Sequence, residues 1–127
     1  MTCFTYFTNN LFLLKITSGE VFLLPEKIQA KSQLLSCFSH ALKFPYYFGE
    51  NLDALYDCLV DLSWIKEKKI YIIHYDIPLN TLEIEAVKYI KLLSDVTIFW
   101  KNNAELELNI LFPENCKNKI EQFLSEE

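Results

Sequence analysis

The chain changes hydrophobic period several times along its 127 residues, and each change marks an element. Residues 11–16 (LFLLKI) and 21–24 (VFLL) are short β-prone runs around Thr-Ser-Gly-Glu, a turn signal centred on Gly19. A hairpin or a bent first strand both fit, and Pro25 ends the segment. From Lys31 to Lys43 the period becomes helical, with Leu34, Leu35, Phe38, Ala41 and Leu42 on one side. Ser32 is a candidate N-cap there, and Pro45 stops the helix soon after its end. Residues 70–75 (IYIIHY) form an almost unbroken apolar strand, the pattern of a central strand covered on both faces. Pro78 closes it, and Asn80 or Thr81 can cap a helix from Leu82 to about Trp100. The end of that helix is ambiguous, because Val96-Thr97-Ile98-Phe99 is β-prone. A last strand spans Leu106 to Phe112, and Asn115 to Leu124 reads as a short terminal helix with Ile120, Phe123 and Leu124 on one side. Strands separated by helices predict a small parallel sheet with helices packed on it, within a single domain over residues 1–127.

The stretch from Phe44 to Trp64 (FPYYFGENLDALYDCLVDLSW) is the most informative. A Pro- and Gly-marked turn rich in aromatics leads into a helix that Asn51 can cap, expected to run to about Trp64 or Ile65. On a helical wheel Leu52, Leu55, Leu59 and Leu62 form a core stripe. Asp53, Asp57 and Asp61 fall on the opposite side, with Val60 and Trp64 among them. An outward face that mixes acids with a tryptophan is unlike an ordinary solvated face and suits protein recognition.

Composition narrows the function. Hydrophobic residues are 51% of the chain and aromatics 15%, which argues against disorder. With two glycines there is no Gly-rich phosphate loop. A net charge of −5 makes the chain a poor ligand for nucleic acid and a good one for something basic. The first residues lack the basic start of a signal peptide and the length of a membrane span, so a cytoplasmic protein without membrane contact is expected. The cysteines, Cys3, Cys37, Cys58 and Cys116, show no metal-ligand or disulfide spacing and read as reduced thiols, with Cys58 shielded beside the core stripe.

Three readings compete for Asp53 and Asp57, which lie one helical turn apart. A bland surface pair leaves Val60 and Trp64 unexplained. A metal or acid–base site needs further ligands or a cleft, and the sequence offers none; no metal, cofactor or enzymatic activity is expected. A recognition face, with the acids meeting Lys or Arg of a partner and Tyr46, Tyr47, Phe48 and Tyr56 adding aromatic contacts, accounts for most.

The run from Pro45 to Leu59 (PYYFGENLDALYDCL) closely resembles the signature of the barstar family, small intracellular inhibitors of the secreted ribonuclease barnase, whose pattern is near YYGxNLDALWDCL. The resemblance implies a three-stranded parallel sheet with packed helices, and a ribonuclease toxin or another basic toxin or regulatory partner. It implies that Asp57 takes the place of the substrate phosphate in the nuclease site, that Asp53 meets an active-site arginine, and that Tyr47 covers the catalytic histidine. Tyr56 stands where the family has tryptophan. Val60-Asp61-Leu62 replaces the family's Thr-Gly-Trp, losing a hydroxyl and adding an acid, and Asp95 is a loosely aligned counterpart of an acid on a later helix. The expected partner surface is therefore Tyr46, Tyr47, Gly49, Asn51, Asp53, Tyr56, Asp57, Val60, Asp61, Trp64 and Asp95, and the expected role is an antidote acting by substrate mimicry.

Overall fold

A computed structural model describes residues 4–45 and 51–125. Its strands are β1 (Thr5–Phe7), β2 (Glu20–Leu23), β3 (Lys69–Ile73) and β4 (Glu107–Pro113), and its helices are α1 (Lys31–Ala41), α2 (Leu52–Leu59), α3 (Glu83–Lys101) and α4 (Lys117–Ser125). The strands form one sheet in the order β1–β4–β3–β2, and every pairing is parallel. The sheet thus has four strands where three were expected, the fourth being β1 on the outer side of β4.

The expected strand at residues 11–16 is instead a 3-10 turn, Asn10–Lys15. The Asn9 side chain accepts the Leu11 N–H at 2.8 Å, and this cap starts a turn before a strand can extend. Phe12, Leu13 and Ile16 then pack on the sheet at helical spacing, while Leu11 and Leu14 are left exposed. Among the described residues there is no N-terminal hairpin, because β1 and β2 lie at opposite edges of the sheet. The turn at Gly19 is real: φ is +107°, and a Cβ there would stand 2.7 Å from the Lys69 carbonyl oxygen.

Two layers of side chains cover the sheet. Ile70 and Ile72 of β3, with Ile110 and Phe112 of β4, belong to the larger core. All four helices contribute to it: Leu34 and Phe38 from α1, Leu55 and Leu59 from α2, Tyr89, Ile90 and Leu93 from α3, Ile120 and Phe123 from α4. On the other face Phe7, Ile73 and Leu111 form a smaller cluster with Phe12, Leu13, Ile16, Tyr71 and Tyr75. β3 is central and covered on both sides, as its apolar run predicts. The β-prone residues 96–99 are helical, because Ala86, Tyr89, Ile90, Leu93, Val96 and Trp100 keep a continuous core stripe along α3, and burial overrides propensity.

Three helix boundaries differ from expectation. Neither α1 nor α3 has a side-chain cap bond: Ser32 lies inside the first turn of α1, with Ala30 at the cap, and α3 begins after Leu82 rather than at Asn80 or Thr81. A turn through Leu79 (φ 63°), closed by the Leu82 N–H on the Leu79 carbonyl at 2.8 Å, delays its start. Helix α2 stops at Leu59, short of Trp64. The N–H groups of Asp61 and Leu62 both donate to the Cys58 carbonyl, and Leu62 turns into the left-handed region at φ 50°. That conformation costs a leucine on the order of 1–3 kcal/mol, offset by placing its side chain, 1% exposed, in the core. Two tryptophans fix this corner. The Trp64 indole N–H donates to the Leu42 carbonyl at 2.8 Å, and that of Trp100 donates to the Leu59 carbonyl at 2.8 Å.

His74, just past β3, ties three elements together without any exposure. Its backbone N–H donates to the Leu111 carbonyl at 2.9 Å. Its Nδ1 lies 3.1 Å from the same oxygen, which can only accept, so Nδ1 carries the proton. Nε2 is then bare and accepts the Tyr89 hydroxyl at 2.6 Å, while the ring stacks on Phe112 at 4.0 Å. Burial pushes its pKa down to about 3, against a slight rise from the Leu111 bond.

Two expectations follow from these ties. His74 is neutral in folded and unfolded chains above its ordinary value of 6.5, and stability there does not depend on it. Between 6.5 and about 3 only the unfolded chain takes the proton, so stability is lost as pH falls through that window. By pH 4 the loss through this residue reaches about 3 kcal/mol. Denaturant unfolding at pH 7 and pH 4 should show the wild type losing that much more than His74→Gln; parallel losses would refute the assignment. Trp64→Ala should lower unfolding stability by about 2–3 kcal/mol, and Trp64→Phe, which keeps most of the packing, by about 1 kcal/mol. Unchanged denaturation midpoints would contradict the anchoring role.

Candidate functional site

Helix α2 begins where its sequence says it should. Asn51 has extended backbone angles, and its Oδ1 accepts the Ala54 N–H at 2.7 Å. Over the next two turns Leu55, Cys58 and Leu59 are buried. Of the remaining positions Asp53 and Asp57 are exposed, while Tyr56 and Val60 are half-buried and pack against the core edge. Asp61 is exposed just past the helix, its Oδ1 accepting the Ser63 N–H at 3.3 Å. Ion pairs among the described residues join Lys31 and Lys88 to Glu85 and Lys119 to Glu83. None of them involves Asp53, Asp57 or Asp61.

The placement of these acids is electrostatically uneven. Asp53 lies in the first turn of α2, where the helix dipole favours a carboxylate. Asp57 and Asp61 sit at the other end, where partial negative charge already gathers on the last carbonyls, and the last turn has no basic residue to relieve it. The buried Cys58 thiol registers the crowding. Its pKa is raised, mainly by burial and then by the charges of Asp61 and Asp57. This lies on the surface of a short helix held at both ends, by Asn51 at its start and by Trp100 at Leu59.

The other expected partner residues fall into distinct places. Trp64 does not continue the acidic face. It lies beyond the helix end, half-buried, with its ring edge-on to Phe44 at 6.0 Å between centroids. Asp95 is exposed on α3, the helix that packs on α2. Tyr46, Tyr47 and Gly49 lie outside the described residues. What the sequence pattern missed is the pair of indole bonds that set the position of α2; a tryptophan between charged residues does not announce which way its ring turns.

Among the described residues no group of three His, Cys, Asp or Glu side chains could hold a metal ion. Cys37, Cys58 and Cys116 are free thiols. No helix among the described residues is long and apolar enough to cross a membrane.

No curated protein matches the chain. The sequence profile of a family described as barstar (barnase inhibitor) matches residues 21–112, from the second residue of β2 to the penultimate residue of β4. That span contains α1, α2 and α3 and leaves β1, the N-terminal 3-10 turn and α4 outside. It covers well over half of the chain, and the acidic helix with its Asn51 cap falls in its middle: the chain belongs to the barstar family.

Proposed function

We propose that this chain is a protein inhibitor of a cytotoxic ribonuclease of the barnase type, working as an antidote in the cytoplasm of the producing cell and catalysing no reaction itself. The observation that carries this reading is the position of Asp57: exposed, one turn after Asp53, at the helix end that the backbone dipole disfavours, and without an ion-pair partner among the described residues. Such an arrangement costs stability in the free protein and becomes favourable when cations arrive. A ribonuclease supplies them, since it holds RNA phosphate among Lys and Arg. In this reading Asp57 stands in for the phosphate, Asp53 and Asp61 flank it with further acid, and the half-buried Tyr56 and Val60 form the apolar rim that keeps water from the charge pairs. Asp95 on α3 extends the negative surface, and Tyr46, Tyr47 and Gly49, which precede α2 in the sequence, complete the partner surface.

Rigidity supports the same reading. A mimic of phosphate must hold its carboxylates in place before the encounter, or ordering them would consume binding energy. The cap at Asn51 and the indole bonds of Trp64 and Trp100 supply that order.

Asp57→Ala should change unfolding stability by less than about 1 kcal/mol, since the side chain is exposed and repelled by its neighbours. Inhibition of RNA hydrolysis by a barnase-type ribonuclease should weaken by about 2–5 kcal/mol, chiefly through faster dissociation, because desolvated cations lose their partner; this range is set by complexes of this family's own kind, not by the present geometry. Glu121→Ala, which removes one exposed charge on α4, should leave inhibition nearly unchanged. Equal weakening by both variants would reduce the effect to net charge. The association rate should also fall steeply as salt rises, and a flat salt dependence measured by stopped flow would remove the acids from the interface.

A further inference from the structure

The outer edge of the sheet at β2 takes no part in the surface described above. The bond from the Leu24 N–H to the Ile73 carbonyl, 2.9 Å, fixes the phase of the β2–β3 ladder. Glu20, Phe22 and Leu24 turn their main-chain groups toward β3. Val21 and Leu23 therefore turn N–H and C=O outward, and nothing among the described residues pairs with them. Their side chains are uncovered as well, 41% and 50% exposed. Natural edge strands are commonly blunted by charge, proline or a bulge. Here only Val-Phe-Leu-Leu lies between Glu20 and Pro25. Beside this edge a cavity of about 880 Å³ opens between β2 and α1, with Phe22, Leu23 and Pro25 on one side and the α1 residues from Lys31 to Ala41 on the other.

We propose that this edge is the interface of a symmetric dimer, in which β2 strands of two copies pair antiparallel about a two-fold axis at Phe22. Self-complementarity selects a second copy as the occupant. With Phe22 opposite Phe22, Val21 of each copy faces Leu23 of the other, and both of these pairs exchange both N–H···O bonds, which satisfies the outward groups of Val21 and Leu23. The half-exposed Val21 and Leu23 side chains cover one another on one face of the joined sheet. On the other face Phe22 and its copy project toward the groove, whose α1 wall presents Ser32, Ser36 and Ser39, small enough to admit them. Charge agrees with this register. The two-fold sets Glu20, at the start of one strand, opposite Leu24 at the end of the other, the end from which Lys31 lines the groove. Glu20 is exposed and outside the ion pairs among the described residues, and the Lys31 side chain is 46% exposed. Lys31 is paired with Glu85 at 3.3 Å, a carboxylate that Lys88 shares at 4.0 Å, so this cluster keeps a net positive charge for Glu20 of the other copy. Asp53 and Asp57 do not line this groove.

Sedimentation equilibrium of the full chain over rising concentration should show the mass climbing from 15.0 kDa toward twice that value. Amide exchange followed by NMR gives an independent readout. Val21 and Leu23 should exchange about tenfold more slowly, or better, at high concentration than on dilution, while Phe22 and Leu24 stay protected at both. Leu23→Lys sets a charge on the joined face and should hold the chain at 15.0 kDa with an unchanged circular dichroism spectrum. A chain that stays monomeric throughout, a dimer that survives Leu23→Lys, or Val21 and Leu23 amides indifferent to concentration would each overturn the proposal. Should Leu23→Lys fail to fold, the exchange measurement on the wild type decides alone.

Discussion

A parallel sheet has two faces that must both be kept from water, and that requirement organises this chain. The helices of the barstar-family span provide most of one cover. The second cover is local and economical: a 3-10 turn started by Asn9 lays Phe12, Leu13 and Ile16 over Ile73 and Leu111. β1 adds Phe7 to the same layer while pairing with β4. What lies outside the family match is therefore not decoration. The N-terminal part closes a face that β3, apolar in both directions, would otherwise show to solvent, and α4 adds Ile120 and Phe123 to the larger core.

The same requirement explains what could be read from the residues. β3 was legible because a strand buried on both faces keeps an unbroken apolar run. α3 was legible as a helix but its buried side only in part, since Ile84 and Ile98 fit an apolar pattern yet lie exposed, while Ala86 and Tyr89 are buried. The acidic helix was legible from Asn51 and the leucine spacing, and its family from the run between Pro45 and Leu59. Residues 11–16 were not. Leu-Phe-Leu-Leu-Lys-Ile suits a strand and a turn equally, and the choice fell to one side-chain bond from Asn9 and to which residues the sheet could cover. The end of α2 was equally hidden. Nothing in Val60-Asp61-Leu62 marks a left-handed leucine; only the burial of its side chain, with Trp64 fastened to Leu42, makes that conformation worth adopting.

Fold and site meet at that corner. The chain spends an unfavourable leucine conformation and two indole hydrogen bonds on fixing the helix that carries its unrelieved acids. Regions built for binding are often the least stable of a domain. Here the acids stand on a helix whose cap, core stripe and terminal carbonyl are all engaged, so electrostatic strain and mechanical order occupy the same few residues.

The pairing of β1 with β4 has a consequence for how the molecule comes into being. Thr5 lies beside Leu111, so among the described strands the one made earliest has as its partner the one made last. Until β4 is made, β1 has no strand beside it, and Phe4, whose ring lies 5.3 Å from that of Phe112, must wait in a half-built molecule. Contacts of such long sequence separation close slowly, and apolar segments held waiting are the ones that chaperones meet. The topology of this chain thus carries a delay between synthesis and completion.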